Sequence, residues 1–223
     1  EGSHYARANR AFLRRVVRFL NTEQGIDQFL DLGSGIPTVG NVHEIAHRDD
    51  PNARVAYVDV EPVAVHHAKH LLGDSETRVT VTRADIRQPR TVLNADGVAG
   101  LLDFDRPIGL LAIGVLPFIP EDEEAREVLA AYRAALAPGS YCAISHISRT
   151  SWTEEQMNTL MEIMASTPTP ERERTPKQIE ALLDGYELLE PGAVPTPQWR
   201  PDREPDEDDV RWSNCYCAVG YRR

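Results

Sequence analysis

Cysteine is scarce in this sequence: three occur in 223 residues, none of them in a Cys-x-x-Cys pair. Three cannot close a disulfide framework, and no thiol pair has metal-ligand spacing. Cys142, Cys215 and Cys217 lie in apolar, strand-like runs and read as buried free thiols, with Cys142 near Cys215 or Cys217 on neighbouring strands. That usage fits a reducing, cytoplasmic setting. Long apolar runs are missing too. The longest, 109–119, is too short for a membrane span and contains Pro117. No signal-peptide pattern is visible. Basic charge is in deficit, with 24 Lys and Arg against 35 Asp and Glu and a net charge of -11, which excludes a general nucleic-acid binder. What is present is an apolar share of 41%, enough for a folded core. The length suits one α/β domain over residues 1–223. Residues 1–4, with Gly2-Ser3-His4, read as a cloning remnant, and a longer native start is expected.

Helical spacing predicts a helix over 6–20, with Phe12, Leu13, Val16, Val17 and Leu20 on one face and five arginines elsewhere, so that 6–26 forms an N-terminal helical cap. Strands are predicted at 28–32, 54–59, 79–84, 107–116, 140–147, 186–190 and 215–221. Helices are predicted at 41–48, 62–72, 123–136, 153–165 and 175–183, the last two parted by a Pro-rich break at 167–170. Strands alternating with helices imply a mostly parallel sheet with helices on both faces. The last two strands have no helix between them and should pair antiparallel, which makes a seven-stranded sheet with an antiparallel last strand.

The segment Phe29-Leu30-Asp31-Leu32-Gly33-Ser34-Gly35 is the most informative. A buried strand enters a Gly-rich turn that opens a helix, and ligands of open α/β sheets sit beyond such strand ends. The second strand ends at Asp59, placed to accept both hydroxyls of a ribose, and the third at Asp85, placed to accept an exocyclic amine of adenine. Together they describe a nucleoside pocket. A nicotinamide dinucleotide would need a third glycine where Thr38 follows Pro37. His43-Glu44-Ile45-Ala46-His47 matches the zinc-protease pattern, but the extended form would need Gly and His where Asp50 and Ala53 stand. No metal is therefore expected, and a zinc hydrolase is the weaker alternative. His66, His67 and His70 read as a solvated face.

Ala6-Arg7-Ala8-Asn9-Arg10, Gln28 through Thr38, Gly40-Asn41-Val42-His43-Glu44, Tyr57-Val58-Asp59-Val60-Glu61-Pro62, Ala84-Asp85-Ile86-Arg87 and Pro138-Gly139-Ser140-Tyr141 carry a resemblance. The chain resembles an actinobacterial family of S-adenosylmethionine-dependent methyltransferases, formerly catalogued as a domain of unknown function. The likeness runs over nearly the whole chain, including Val194 to Pro201. It implies a class I methyltransferase, Rossmann-like fold. It implies S-adenosylmethionine as cofactor and S-adenosylhomocysteine as product. Asp31, Gly33, Ser34, Gly35 and Asn41 would line the methionine end, Asp59 and Val60 the ribose, Asp85 and Ile86 the adenine, and Ile113 and Gly114 the sulfonium. Relatives usually read Leu-His-Phe where this chain has Leu116-Pro117-Phe118, so a histidine that could face the substrate is absent. Family members also commonly carry an additional N-terminal segment.

Methyl transfer from sulfonium is an in-line displacement that needs position and dryness more than a strong base. His146, after Ser145 at the end of the fifth strand, is the candidate base. Tyr5, Pro117, Phe118, His146, Trp199 and Trp212 are the candidate acceptor-facing residues, with Trp199 and Trp212 flanking a mobile loop. Arg10 or Arg14 is placed to pair with the methionine carboxylate of the cofactor. The five arginines of 6–20 face six acids within 202–209, which suggests opposite walls of one pocket. The expected activity is methylation of a small molecule in actinobacterial secondary metabolism, with an aromatic or indole acceptor methylated at carbon or nitrogen. A homodimer is the expected partner state. The alternative is a non-catalytic, S-adenosylmethionine-binding regulatory protein.

Overall fold

A computed structural model describes residues 2–35, 40–72, 77–148, 155 and 171–223. The strands are β1 (Gln28–Leu32), β2 (Arg54–Asp59), β3 (Val79–Arg83), β4 (Gly109–Ile113), β5 (Tyr141–Ile147), β6 (Glu187–Leu188), β7 (Val194–Pro195) and β8 (Cys215–Tyr221). They form one sheet in the order β3-β2-β1-β4-β5-β8-β6, with β7 also paired to β8. The first five run parallel, and β8 runs antiparallel to β5, β6 and β7. This is the expected mixed α/β sheet with one strand more. The addition is the two-residue β7, whose ladder ends at Pro195, a residue with no N–H to donate.

The helices are α1 (Gly2–Arg18), α2 (Val42–Asp49), α3 (Pro62–Leu72), α4 (Pro89–Leu93), α5 (Asp96–Ala99), α6 (Asp122–Ala135), α7 (Pro176–Ala181) and α8 (Glu207–Ser213). A π-helical turn, Phe19–Glu23, continues α1. α4 and α5 went unpredicted because five and four residues are too few to display a 3.6 period. The expected helix at 153–165 and break at 167–170 lie, apart from Glu155, outside the described residues, as do Pro37 and Thr38.

Alternation along the strands decides which helices cover which face. Phe29, Val55, Tyr57, Leu111 and Ala143 pack toward α1, α2 and α3. Leu30, Val58, Leu110, Cys142 and Ile144 pack toward the α5, α6 and α7 side. The same parity corrects one expectation. Cys142 pairs with Gly220 and faces the α6 layer, whereas Cys217 pairs with Ser145 and faces the α1 layer. The sheet thus separates these thiols. All three are buried, and burial pushes Cys142 and Cys215 up to about 12 and Cys217 well above the ordinary thiol range.

Trp199 was expected beside the acceptor and instead belongs to the core. It is fully buried, edge-on to Phe12 at 5.4 Å and to Phe19 at 5.6 Å between ring centroids. Arg15 fixes its backbone from α1, donating from Nε to the Trp199 carbonyl at 2.9 Å and from Nη2 to the Thr196 carbonyl at 2.6 Å. The segment after Trp199 folds as α8, whose first turn is capped by the Asp206 side chain accepting the Asp209 N–H at 2.7 Å. Trp199→Ala should therefore cost about 3–5 kcal/mol in urea unfolding, the range for emptying a buried indole site. A loss below about 1 kcal/mol would contradict this packing.

Candidate cofactor-binding and active site

The chain leaves β1 through Gly33, which has φ +71°, and a Cβ there would run into the Val115 side chain beyond β4. Only glycine meets both conditions without strain. The N–H groups of Gly33 and Ser34 both donate to the Val58 carbonyl, at 2.8 and 3.2 Å. Gly35 donates to Asp59 Oδ2 at 2.7 Å, and Glu61 N–H donates to Asp59 Oδ1 at 2.9 Å. One carboxylate thus braces the two loops that leave β1 and β2. Each of its oxygens keeps capacity for a further bond.

Two cavities meet at Gly33. The larger, about 480 Å³, is lined by Asp59, Val60, Glu61, Val63, Asp85, Ile86, Gly114 and Phe118. Val60, Val63 and Phe118 are 52%, 70% and 48% exposed, three of the four large apolar side chains left open among the described residues. Apolar surface gathered in one concavity marks a ligand site rather than scatter. Asp85 reaches the cavity already engaged by Arg87, whose Nε lies 3.0 and 3.1 Å from its two oxygens and whose Nη2 lies 2.6 Å from Oδ2. The hydrogen bonds from Arg87 hold this carboxyl below its usual range.

The smaller cavity, about 180 Å³, lies between α1 and the strand ends. Ala6, Asn9, Arg10 and Leu13 line it from α1, with Asp31, Ser34, Asn41, Tyr57 and Ile113 opposite. Asp31 shares its parity with Phe29, so it lies under α1. Burial pushes its carboxyl up to about 7; Arg10 opposes the rise and Asp59 adds to it. Tyr57 Oη accepts the His43 N–H at 3.0 Å and lies 2.8 Å from His43 Nδ1. Burial raises this phenol. In the wall of the larger cavity, a Cβ on Gly114 would lie 3.1 Å from Tyr5 Oη, so Tyr5 packs beside the end of β4.

Asn9 is a site residue that pattern reading passed over. It is buried, its Oδ1 accepts from Ser145 Oγ at 2.6 Å and from Cys215 Sγ at 3.2 Å, and its Nδ2 lies beside Gly114. The available signal was an amide in line with the apolar stripe of Phe12, Leu13 and Val16.

Arg10 lines the small cavity, but Arg14 does not: it is exposed and paired with Asp202 at 2.6 Å. With Arg7 and Arg15 it forms one wall of a third cavity of about 480 Å³, facing Asp202 and Asp209. Basic helix and acidic segment are thus opposite walls, on the far side of α1 from the strand ends. Trp212 lines none of these three cavities; it is half-buried with the Arg211 guanidinium 5.1 Å from its ring centroid. Pro117 is buried and gives its carbonyl to Arg172 N–H at 2.8 Å.

His146 corrects the expectation of a base. Its parity is that of Cys142 and Ile144, so it points into the α6 and α7 layer, while Ser145 faces α1. It is fully buried. Arg174 Nη1 lies 2.9 Å from Nε2 and can only donate, so Nε2 accepts and Nδ1 donates to the Ile147 carbonyl at 2.8 Å. Burial pushes its pKa down to about 4. A neutral, doubly bonded imidazole on the wrong face of the sheet cannot take a proton from an acceptor. His43 and His47 are also committed, His47 Nε2 lying 2.8 Å from the Ala53 carbonyl. Among the described residues no group of three or more His, Cys, Asp and Glu side chains could hold a metal ion, and no helix is long and apolar enough to cross a membrane.

The donor set suits S-adenosylmethionine. The large cavity offers apolar walls for a flat base and carboxylates for hydroxyl and amine donors; the small one offers a guanidinium and a buried carboxyl for the two charges of an amino acid. The family model described as S-adenosyl methyltransferase matches residues 1–223. A Thermobifida fusca protein assigned as a methyltransferase is 38% identical, with a TM-score of 0.89 over 98% of this chain and 82% of its own. A DUF574 family protein from Streptomyces avermitilis is 32% identical, with a TM-score of 0.86 over 97% and 83%. Human N-acetylserotonin methyltransferase, solved with S-adenosylmethionine, is 14% identical with a TM-score of 0.55 over 94% and 51%, a likeness of fold alone. No curated protein matches the chain.

The buried Asp31 sets a pH signature. Its folded pKa lies above the unfolded value, so its contribution to stability is full below about pH 4 and is lost as pH rises through about 7. Asp31→Asn stays neutral and escapes that loss. In ligand-free urea unfolding, the variant should gain on the wild type between about pH 5 and about pH 8. A difference that stays constant across this range would contradict the burial of the carboxyl.

Proposed function

We propose, for a chain that belongs to the S-adenosyl methyltransferase family and uses S-adenosylmethionine as its cofactor, that the methyl acceptor is a small aromatic molecule. The observation that carries this reading is the packing at Gly114. Tyr5 and Asn9 of α1 pack beside Gly114 at the end of β4, a close cover that favours a small acceptor over a folded polymer. The net charge of -11 supports the same choice against nucleic acid. An indole or related ring, methylated at carbon or nitrogen in secondary metabolism, is the acceptor class we favour. Cytoplasmic action and a homodimer complete the reading.

In this reading the smaller cavity holds the methionine end. Arg10 pairs with its carboxylate and Asp31 with its ammonium, which relieves the cost of burying that carboxyl alone. Asp59 takes the ribose hydroxyls with the acceptor capacity left beside the Gly35 and Glu61 bonds. Val60, Ile86 and Phe118 enclose the base, with Asp85 and Arg87 at its edge. When bound, the cofactor supplies a methyl group on a positively charged sulfur. The protein then contributes alignment and exclusion of water, with Tyr5 and Asn9 packed over the reacting end. No histidine base enters, because His146 is sealed on the other side of the sheet. This favours acceptors that need no early loss of a proton, such as an electron-rich ring carbon or a neutral amine.

Two experiments test this. A mass-spectrometric screen over indoles, phenols and amines should find cofactor-dependent methylation of a small ring; methylation of protein or nucleic acid alone would overturn the reading. Asp59→Ala should weaken S-adenosylhomocysteine binding at least about tenfold by calorimetry, as expected for loss of a charged hydrogen-bond acceptor. An unchanged affinity would refute the ribose assignment.

A further inference from the structure

Arg174 is one of the largest fully buried side chains in the protein, and the methyl-transfer chemistry above does not use it. Its guanidinium bonds to four groups from three parts of the chain. Nε donates to Asp122 Oδ1 at 2.8 Å, at the start of α6. Nη1 donates to the Leu116 carbonyl at 3.1 Å and lies 2.9 Å from His146 Nε2, and Nη2 donates to the Ile119 carbonyl at 2.8 Å. Two residues earlier, Arg172 N–H donates to the Pro117 carbonyl at 2.8 Å. Segment 172–174 therefore donates to three of the four carbonyls of turn 116–119. That turn follows directly on Gly114 and Val115, and it carries Phe118 and Ile119 into the wall of the large cavity.

We propose that Arg174 is a positioning residue for the cofactor cavity, holding turn 115–119 in register so that Val115 and Phe118 form its wall. The proposal rests on the cofactor reading above for the ligand, and on geometry alone for the turn. Three coplanar nitrogens on one rigid guanidinium fix four acceptors at once, which an ammonium cannot do. His146 and Asp122 complete the arrangement. The neutral imidazole accepts where an imidazolium would repel, and the Asp122 carboxylate balances the buried charge while Gln178 Nε2 holds its other oxygen at 3.2 Å. Pro117 shapes the turn without an N–H of its own to satisfy.

The test compares Arg174→Lys, Arg174→Met and Asp122→Asn with Leu136→Ala, a core truncation among the α6-side residues, away from the cavity lining. Hydrogen exchange of the ligand-free proteins reads the turn through the Phe118 and Ile119 amides, which close it onto the Val115 and Leu116 carbonyls. Both Arg174 variants should exchange these amides at least about tenfold faster than wild type and bind S-adenosylhomocysteine at least about tenfold more weakly, with Asp122→Asn between them and wild type. Leu136→Ala should lower the melting temperature and leave both readouts unchanged. Should Arg174→Met not fold, Arg174→Lys and Asp122→Asn still decide. Exchange at Phe118 and Ile119 no faster than in Leu136→Ala, or unchanged affinity despite faster exchange, overturns the positioning role. If the wild type fails to bind S-adenosylhomocysteine, the cofactor reading falls, while the exchange data still judge the hold on the turn.

Discussion

The left-handed turn at Gly33 constrains everything around it. β1 is buried on both faces, and its exit must pass flush against Val115 beyond β4. No side chain fits there, and the path taken places Gly35 N–H on the Asp59 carboxylate. That bond joins the first two strand ends, and the two cavities meet at the same glycine. The order of the central strands, β2-β1-β4, puts this turn where the order of parallel strands reverses, which is where open α/β sheets hold ligands.

Around that point the protein builds two different walls. α1 supplies one, with an apolar stripe in the core and Asn9, Arg10 and Tyr5 at the strand ends. The turn after β4 supplies the other, clasped from behind by the backbone and side chain of 172–174. Both are held by hydrogen bonds from residues distant in sequence, Ser145 to Asn9 on one side and Arg174 to Leu116 on the other. The charge asymmetry also has a structural use. Arg14 and Arg15 of α1 fasten Asp202 and the 196–199 backbone, so the basic helix secures the C-terminal segment while Arg10 lines the smaller cavity at the strand ends.

Features set by neighbours in sequence were legible. The glycine turn, the terminal carboxylates Asp59 and Asp85, and the parallel sheet all follow from local pattern and spacing. Features set by distant contacts were not. Trp199 looked like a loop aromatic because nothing near it announces Phe12 and Phe19. Arg174 sits in a run of alternating Glu and Arg that reads as solvated surface, yet it is 1% exposed. His146 is the instructive error. Its position at a strand end suggested chemistry, but its parity with Cys142 and Ile144 already assigned it to the other face. Counting alternation from the apolar residues of β5 would have selected Ser145 as the residue facing α1, and through it Asn9.

The two cavities meeting at Gly33 should together hold one S-adenosylmethionine molecule. A crystal structure of the protein with S-adenosylhomocysteine tests this most directly. The ribose hydroxyls should lie within hydrogen-bond reach of Asp59, the base against Val60, Ile86 and Phe118, and the amino-acid end between Arg10 and Asp31. Density in the cavity between α1 and Asp202, or a base lying away from Phe118, would contradict it.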